Sequence, residues 1–209
     1  MNKIMISAVF AVVLSFLLVS PAVSMAATPT ETVKTTVDKV IQVLNDQSLK
    51  APAKEKERRA RIRAAVQNVF DFKEMAKRSL GQHWKKRSEG ERNNFVELFS
   101  DLLERSYINK IESYSGEKIV YEKESIEDDY AVVRTRFITK RREEIPVNYK
   151  LLKEDGGWGV YDLVIENVSL VNNYRTQFNK IITTSSYQEL VRKMQNKAES
   201  EAFVSPGKK

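Results

Sequence analysis

Cysteine is absent from the sequence, and histidine occurs once, at His83. Without cysteine the chain has no disulfide, no thiolate metal site, no cysteine nucleophile and no N-terminal cysteine to carry a lipid. A single histidine leaves little material for a histidine metal site or a Ser-His-Asp triad. Glycine (7 residues) and proline (5 residues) are too scarce for a collagen-like or low-complexity chain. The remaining composition, 42% hydrophobic and 30% charged over 209 residues, is typical of one globular domain with a core.

The N-terminal segment has the pattern of a secretory signal peptide. Lys3 precedes an apolar run over residues 4–19, Pro21 ends the run, and small residues lead up to Ala26. The run is shorter than the roughly 20 residues that a transmembrane helix needs. This length favours cleavage after Ala26 over the alternative of a membrane anchor. An exported chain with neither an anchor nor a lipidated cysteine is expected in the periplasm.

The rest of the chain predicts helices, then strands, then helices. Six stretches have apolar residues at helical spacing, and three of them open on a capping pattern, at Asp71, Ser88 and Ser186, each followed three residues later by Glu. From about 117 to 166 the apolar period changes to two, which predicts a meander of four antiparallel strands. The predicted organisation is a signal peptide at 1–26, a single α+β domain at 27–198 and a flexible C-terminal tail at 199–209.

The predicted sheet has more apolar surface than one buried face requires. In the last predicted strand, apolar side chains alternate onto both faces, with Trp158, Val160 and Val164 on one and Tyr161, Leu163 and Ile165 on the other. Two arrangements fit this surplus. Either helices cover both faces of the sheet, or the sheet curls around a cavity that holds a ligand. The pattern alone favours the first, because apolar stripes are usually core.

Motifs for catalysis are missing, and two charged features remain open to interpretation. Asp162 and Glu166 project from one strand face, as a catalytic carboxylate pair or, more commonly, as structural acceptors. Two basic clusters, Lys54–Arg63 and Lys85–Arg87, suit an anionic phospholipid surface. The alternative is a solvated helix face in which acidic residues balance the basic ones. Nucleic acid is not an expected partner of an exported protein.

One long segment carries a family resemblance. Residues Trp158–Phe178, WGVYDLVIENVSLVNNYRTQF, resemble the signature of the MlaC family, also called the toluene-tolerance or auxiliary transport protein family. Phe70–Ala76 and Leu80–Trp84 match the N-terminal part of the family pattern, and the resemblance extends over about 33–194. The sequence departs from the pattern at Asn167, where many members carry glycine, which places a tight turn in question.

The resemblance implies a function and a fold. The function is that of a periplasmic phospholipid carrier, which moves lipid between an outer-membrane lipoprotein–porin complex and an inner-membrane ABC transporter and so maintains outer-membrane lipid asymmetry. The fold is a strongly curved four-stranded antiparallel sheet, packed with helices around an apolar cavity, similar to the nuclear-transport-factor-like cone. Acyl chains would enter the cavity while the headgroup stays outside. No enzyme activity and no cofactor is implied, since the phospholipid is cargo.

With this family in view, the cavity becomes the expected arrangement and its lining can be predicted. The residues come from the short third helix, the long fourth helix, the sheet and the last helices, and for each of them plain core packing is the alternative. Trp84, beside Lys85–Arg87, is expected at the mouth. Arg175 is expected to donate to Asp162 or Glu166 and not to bind phosphate. The predicted acyl-chain pocket comprises Phe72, Met75, Leu80, Trp84, Phe95, Phe99, Leu102, Tyr107, Tyr149, Leu151, Trp158, Val160, Val164, Val171, Tyr174, Phe178 and Ile182.

Two other functions fit the sequence less closely. The first is a protein-interaction module or chaperone of the cell envelope, which would have a filled core and no lipid. The second is a small-molecule enzyme, which would use Asp162 or Glu166 as its catalytic carboxylate.

Overall fold

The structure is a computed structural model that describes residues 27–196 and Phe203. The predicted signal peptide at 1–26 lies outside the described residues, and so does the predicted tail at 199–209 apart from Phe203. The helices are α1 (Pro29–Asn45), α2 (Glu55–Gln67), α3 (Phe72–Leu80), α4 (Glu89–Glu112), α5 (Leu170–Thr184) and α6 (Tyr187–Gln195), with short 3₁₀ turns at Gln47–Leu49, Pro52–Lys54 and Gly81–Lys86. The strands are β1 (Lys118–Glu127), β2 (Tyr130–Ile138), β3 (Glu144–Glu154), β4 (Gly157–Ile165) and β5 (Val168–Ser169).

The helices begin where the capping residues predict. The Ser88 hydroxyl accepts a hydrogen bond from the Glu91 amide while the Glu91 carboxylate accepts one from the Ser88 amide, a complete capping box for α4. The side chains of Asp71 and Ser186 accept hydrogen bonds from the amides of Glu74 and Glu189 and so cap α3 and α6. Two further side-chain caps, Thr28 for α1 and Ser169 for α5, were not among the predicted ones. Each cap satisfies amides that the first helical turn leaves without a partner.

The strands form one open antiparallel sheet in chain order, β1 to β5. The predicted meander is confirmed, including the two-residue turn at Asp155 and Gly156. The predicted count of four strands is wrong, because β5 adds a two-residue fifth strand beside β4. The turn before β5 needs two residues with positive φ, and Glu166 (49°) and Asn167 (67°) supply them. Asparagine tolerates this left-handed backbone, so the tight turn forms without glycine.

A bulge changes the alternation of β4. Where β3 pairs with β4 the register slips by one residue at Tyr161. A bulge of this kind reverses which side chains point inward beyond it. The predicted alternation, with Val160 and Val164 on one face, is therefore wrong. Val160 packs into the same apolar cluster as Leu163, whereas Val164 does not.

Two apolar clusters lie side by side in the domain. The helical core contains side chains of α3, α4, α5, α6, the Gly81–Lys86 turn and Phe203. The sheet core contains side chains from one face of the sheet and from the start of α1. The buried members of the helical core are Met75, Ala76, Leu80, Trp84, Phe95, Phe99, Leu102, Leu103, Val171, Tyr174, Phe178, Tyr187, Leu190, Met194 and Phe203. The buried members of the sheet core are Val33, Ala131, Val133, Tyr149, Leu151 and Val160.

Candidate functional site

An apolar cavity of about 500 Å³ opens between the sheet, α1, α2 and α4. This volume falls in the range of roughly 300–1,000 Å³ that is usual for ligand sites. Most of its lining side chains are aliphatic or aromatic, so the interior offers almost nothing for a polar ligand. The apolar lining residues are Val33, Val37, Val40, Ile41, Leu44, Ile62, Val66, Val69, Phe70, Phe72, Met75, Leu103, Tyr107, Ile108, Ile111, Tyr114, Ile119, Phe137, Ile145, Val147, Tyr149, Val160, Leu163, Ile165 and Leu170.

The two ends of the cavity differ in exposure. At one end the lining residues Val33, Met75 and Val160 are buried. At the other end, where α4 finishes and the β2–β3 turn lies, exposed or half-exposed polar residues interrupt the apolar wall. We call this second end the mouth and define it by Lys110, Ser113, Glu117 and Thr139. A ligand with an apolar body and a polar end meets polar groups at the mouth, whereas Arg59, Arg63 and Glu104, which also line the cavity, are engaged in ion pairs between α2 and α4.

α1 is fixed to the sheet at the closed end. The backbone amide of Thr30 donates to the Glu124 carboxylate of β1 at 2.7 Å, and Val33 is buried in the sheet core. The later apolar residues of the helix, among them Val40 and Leu44, are half-buried and line the cavity. The same apolar stripe thus belongs to a packed core at its start and to a cavity wall at its end.

Ion pairs join α2 to α4 along the flank of the cavity. The Glu112 carboxylate accepts from Arg58 (2.7 Å) and Arg59 (2.8 Å), and Arg63 pairs with Glu104. Burial tends to raise the pKa of Glu112, but the hydrogen bonds from Arg59 and Arg58 outweigh it and hold the pKa below its usual value. These pairs support the interpretation of the first basic cluster as a charge-balanced helix face.

Two tyrosines of the cavity wall, Tyr107 and Tyr149, are neutral. Burial raises the pKa of Tyr149, and burial together with the neighbouring Tyr174 raises that of Tyr107. Neither phenol loses its proton near neutral pH, since the ordinary pKa is already about 10. The deep part of the cavity therefore carries no charge from these groups.

Five of the seventeen predicted pocket residues line the cavity, namely Phe72, Met75, Tyr107, Tyr149 and Val160. The other twelve do not reach it. Leu80, Phe95, Phe99, Leu102, Val171, Tyr174 and Phe178 are buried in the helical core, and Ile182 packs against that core. Leu151 is buried in the sheet core, Trp158 packs against it, and Val164 lies beyond the bulge on the other side of β4.

Trp84 lies in a second, charged groove and not at the mouth of the apolar cavity. The guanidinium of Arg92 stands 5.5 Å from the centre of its indole ring. The groove has a volume of about 610 Å³, and the charged side chains that make up most of its walls would not shelter acyl chains. The other groove residues are Asp71, Lys73, Glu74, Lys77, Glu89, Arg92, Asn93 and Glu154.

The candidate carboxylate pair has a structural explanation. Asp162 is buried and accepts hydrogen bonds from the Ser169 hydroxyl (2.7 Å) and the Val171 amide (3.1 Å), which fixes the start of α5. Glu166 is exposed in the turn before β5. The prediction that Arg175 donates to one of these carboxylates is wrong. Its guanidinium donates to the Asn172 side chain at 2.6 Å, one turn earlier on the same helix.

Sequence reasoning missed most of the cavity wall. Val37, Val40 and Leu44 lie on the predicted apolar stripe of α1, and Phe137 and Val147 lie on the strand face that the alternation already predicted for Val133 and Tyr149. These residues could have been predicted by assigning the whole of this strand face, as far as the β2–β3 turn, to the cavity wall together with the apolar stripe of α1.

Within residues 27–196 and Phe203, no group of three or more histidine or acidic side chains is placed to hold a metal ion. None of the helices in the same part of the chain is both long and apolar enough to cross a bilayer.

Comparison with known proteins identifies a family, a sequence relative and a solved structure to which this chain is similar. The sequence model of the MlaC protein family matches residues 34–196. The intermembrane phospholipid transport system binding protein MlaC of Haemophilus influenzae is 29% identical over 124 residues, which is 57% of this chain and 58% of that protein. A phospholipid-binding protein from Ralstonia solanacearum, solved in complex with a phospholipid, has the same fold, with a TM-score of 0.74 and 23% identity over 86% of this chain and 100% of that one.

The family model spans most of the domain that the structure describes, from within α1 to the residue after α6. This agrees with the sequence signature in β4 and α5, and the predicted resemblance is confirmed. The chain belongs to the MlaC family.

Proposed function

We propose that this protein is a periplasmic phospholipid carrier that holds the acyl chains of its cargo in the apolar cavity and leaves the headgroup at the mouth. The observation that carries the proposal is the cavity itself, uncharged at its closed end and polar at its mouth. Family membership and the phospholipid-binding relatives support it. In this proposal Phe72, Met75, Tyr107, Tyr149 and Val160 contact the chains together with the apolar wall of α1.

The need for such a cavity follows from the hydrophobic effect. Each methylene removed from water contributes about 0.8 kcal/mol, so two ordinary acyl chains hold a lipid in a bilayer by on the order of 20 kcal/mol. A carrier must offer the acyl chains a cavity about as apolar as the bilayer interior, so that the free energy of transfer between membrane and protein is near zero. Neither a catalytic group nor a cofactor takes part in this exchange.

A passive cavity does not give transport a direction. Direction has to come from partners that bind the loaded and empty forms differently. We propose that these partners are an inner-membrane ABC transporter complex and an outer-membrane lipoprotein–porin complex, and that the exchange maintains outer-membrane lipid asymmetry. The name of the Haemophilus relative, which places it in an intermembrane phospholipid transport system, supports this assignment. Export through the predicted signal peptide would bring the protein to the same compartment.

Cargo can be identified by native mass spectrometry of the protein exported by a bacterial host and purified without added lipid. We expect a mass increase that corresponds to a phospholipid with two acyl chains. Val147→Trp projects a large ring into the cavity and should reduce the loaded fraction several-fold, while the protein still folds. Val132→Trp is the matched control, because Val132 lies on the opposite face of the sheet and should leave loading unchanged.

Protein that is consistently empty would contradict the proposal. So would equal loading of the two tryptophan variants, because lipid would then be bound somewhere other than the cavity.

A further inference from the structure

Three consecutive cations stand beside the mouth of the cavity. Lys140, Arg141 and Arg142 form the β2–β3 turn and are exposed. Thr139, immediately before them, and Ile145, shortly after them, both line the cavity. The side chains of this turn are therefore the charged groups that a ligand's polar end meets as it protrudes from the mouth.

Backbone hydrogen bonds hold the turn in a defined shape. The Thr139 amide donates to the Glu143 carbonyl, and the Arg142 amide donates to the Thr139 carbonyl, both at 2.9 Å. This shape places Arg142 at φ 64°, in the left-handed region that favours glycine or asparagine. The chain thus carries a long cationic side chain where a glycine would be free of strain, which is the kind of departure that accompanies function.

The charges of the turn are free to meet a ligand, unlike those of α2. Glu104 and Glu112 engage Arg58, Arg59 and Arg63 of α2. Among residues 27–196, by contrast, Lys140, Arg141 and Arg142 form no ion pair within 4.0 Å.

The neighbouring side chains leave the rim of the mouth positive. Glu144, at the end of the turn, is paired with Arg136. Burial tends to raise the pKa of Glu117, but hydrogen bonds from Ser115 hold it below its usual value, and Lys140 adds a smaller contribution. Glu143 is the other exposed acid of the turn, and Lys110 and Lys118 add two more cations. Within residues 27–196, these five cations thus outnumber the two acids near the mouth, Glu117 and Glu143, that form no salt bridge within 4.0 Å.

We propose that Lys140, Arg141 and Arg142 bind the phosphate and headgroup of the lipid whose chains fill the cavity, and that the protein consequently prefers phospholipids with a net negative headgroup. This inference rests on the proposed function. A zwitterionic headgroup brings its own ammonium group next to the phosphate, so part of the attraction is cancelled. An acidic headgroup has no such compensation. Because the cations are exposed and screened by salt, the preference is a ratio between lipids and not an absolute selection.

The preference can be measured by lipid exchange. The protein is incubated with vesicles of equal parts phosphatidylglycerol and phosphatidylethanolamine with identical acyl chains, separated from them, and its bound lipids are quantified by mass spectrometry. We expect enrichment of phosphatidylglycerol by about fivefold, the order that one or two exposed ion pairs provide. The variant K140Q/R141Q/R142Q should carry the two lipids in nearly equal amounts, with its total loading retained.

A charge-matched variant separates cargo binding from attraction to the vesicle surface. K85Q/K86Q/K153Q removes three exposed cations that lie away from the mouth and should keep the wild-type ratio. A second check is Arg142→Gly, which relieves the left-handed strain. It should raise the unfolding temperature and lower the enrichment together, a combination that misfolding does not produce.

The outcomes distinguish this inference from the proposed function. If wild type and turn variant both carry the two lipids in the vesicle's own ratio, the inference is overturned while the carrier function stands. If both triple variants lose the enrichment equally, general surface charge explains it and the inference is again overturned. If no form of the protein carries either lipid, the carrier proposal itself fails.

Discussion

The helical core and the cavity use the same kinds of side chain to opposite effect. In the helical core the rings of Phe95, Phe99, Tyr174 and Phe178 pack with centroids 5.3–6.1 Å apart, several of them edge to face. All four side chains are fully buried. Helices that cross one another let such side chains interlock until no space is left.

Across the cavity, the elements are held apart by contacts at their edges. α1 is fixed to β1 where Thr30 meets Glu124, and α2 is joined to α4 where its arginines meet Glu104 and Glu112. Between these polar contacts, the apolar faces do not need to meet. A cavity of this kind therefore depends on the positions of these polar contacts. Without them, the apolar side chains on either side would pack together and fill the space.

Truncating one large apolar side chain in each region should show the largest difference. Phe99→Ala leaves a hole in the filled core and should lower the free energy of unfolding by about 3–5 kcal/mol. Ile145→Ala removes a side chain that already borders empty space, and we expect a loss of about 1 kcal/mol or less, since no new cavity of comparable size is created. Urea unfolding of the lipid-free protein measures the free energy of unfolding of both variants. Equal decreases would contradict the division of the molecule into a filled core and a cavity.

The link between the two regions should give an intermediate effect. Asp162→Asn weakens the charge-assisted hydrogen bonds that attach α5 to β4 and should cost about 2 kcal/mol. Glu166→Gln, an exposed change in the neighbouring turn, should stay within roughly 0.5 kcal/mol. Thermal unfolding compares the two. Bound lipid, measured in parallel below the unfolding transition, should be unaffected, whereas a specific loss of lipid in Asp162→Asn would mean that this carboxylate serves the cavity.

Acidification should produce the smallest effect where it weakens the ion pairs between α2 and α4. Because the folded-state pKa of Glu112 is lowered, its stabilisation is present above the unfolded pKa of about 4.3 and is lost as the pH falls through the folded value. The contribution is about 1 kcal/mol or less for partly exposed pairs. Below about pH 4, amides of α2 should therefore exchange faster relative to those of α5 than they do at neutral pH.

A variant completes this pH test. Glu112→Gln should give fast exchange in α2 already at neutral pH and remove most of its further change on acidification. If α2 and α5 respond to acid in parallel in the wild type, the ion pairs are not what holds α2 in place.

Features set by nearby residues were predictable from the sequence. The caps of α3, α4 and α6, the strand meander and the Asp155–Gly156 turn depend on spacings of two to four residues, and the structure has them all. The family resemblance was equally accessible, because its signature is one continuous segment.

Features set by distant contacts were not predictable. An apolar pattern identifies which side chains avoid water but not whether another side chain or empty space will face them. Phe95 and Phe137 therefore look alike in sequence, although one is locked in the helical core and the other borders the cavity. The bulge at Tyr161 likewise arises from the pairing of β3 with β4, and it moved Val164 to the other side of its strand.

The placement of the two tryptophans has a practical consequence. Trp84 belongs to the helical core, under the guanidinium of Arg92, and Trp158 packs against the sheet core. The intrinsic fluorescence of the chain is thus the sum of two emitters, one in each region. Replacing either tryptophan by phenylalanine leaves a single fluorophore. Unfolding of the helical core and of the sheet core can then be followed separately by tryptophan fluorescence.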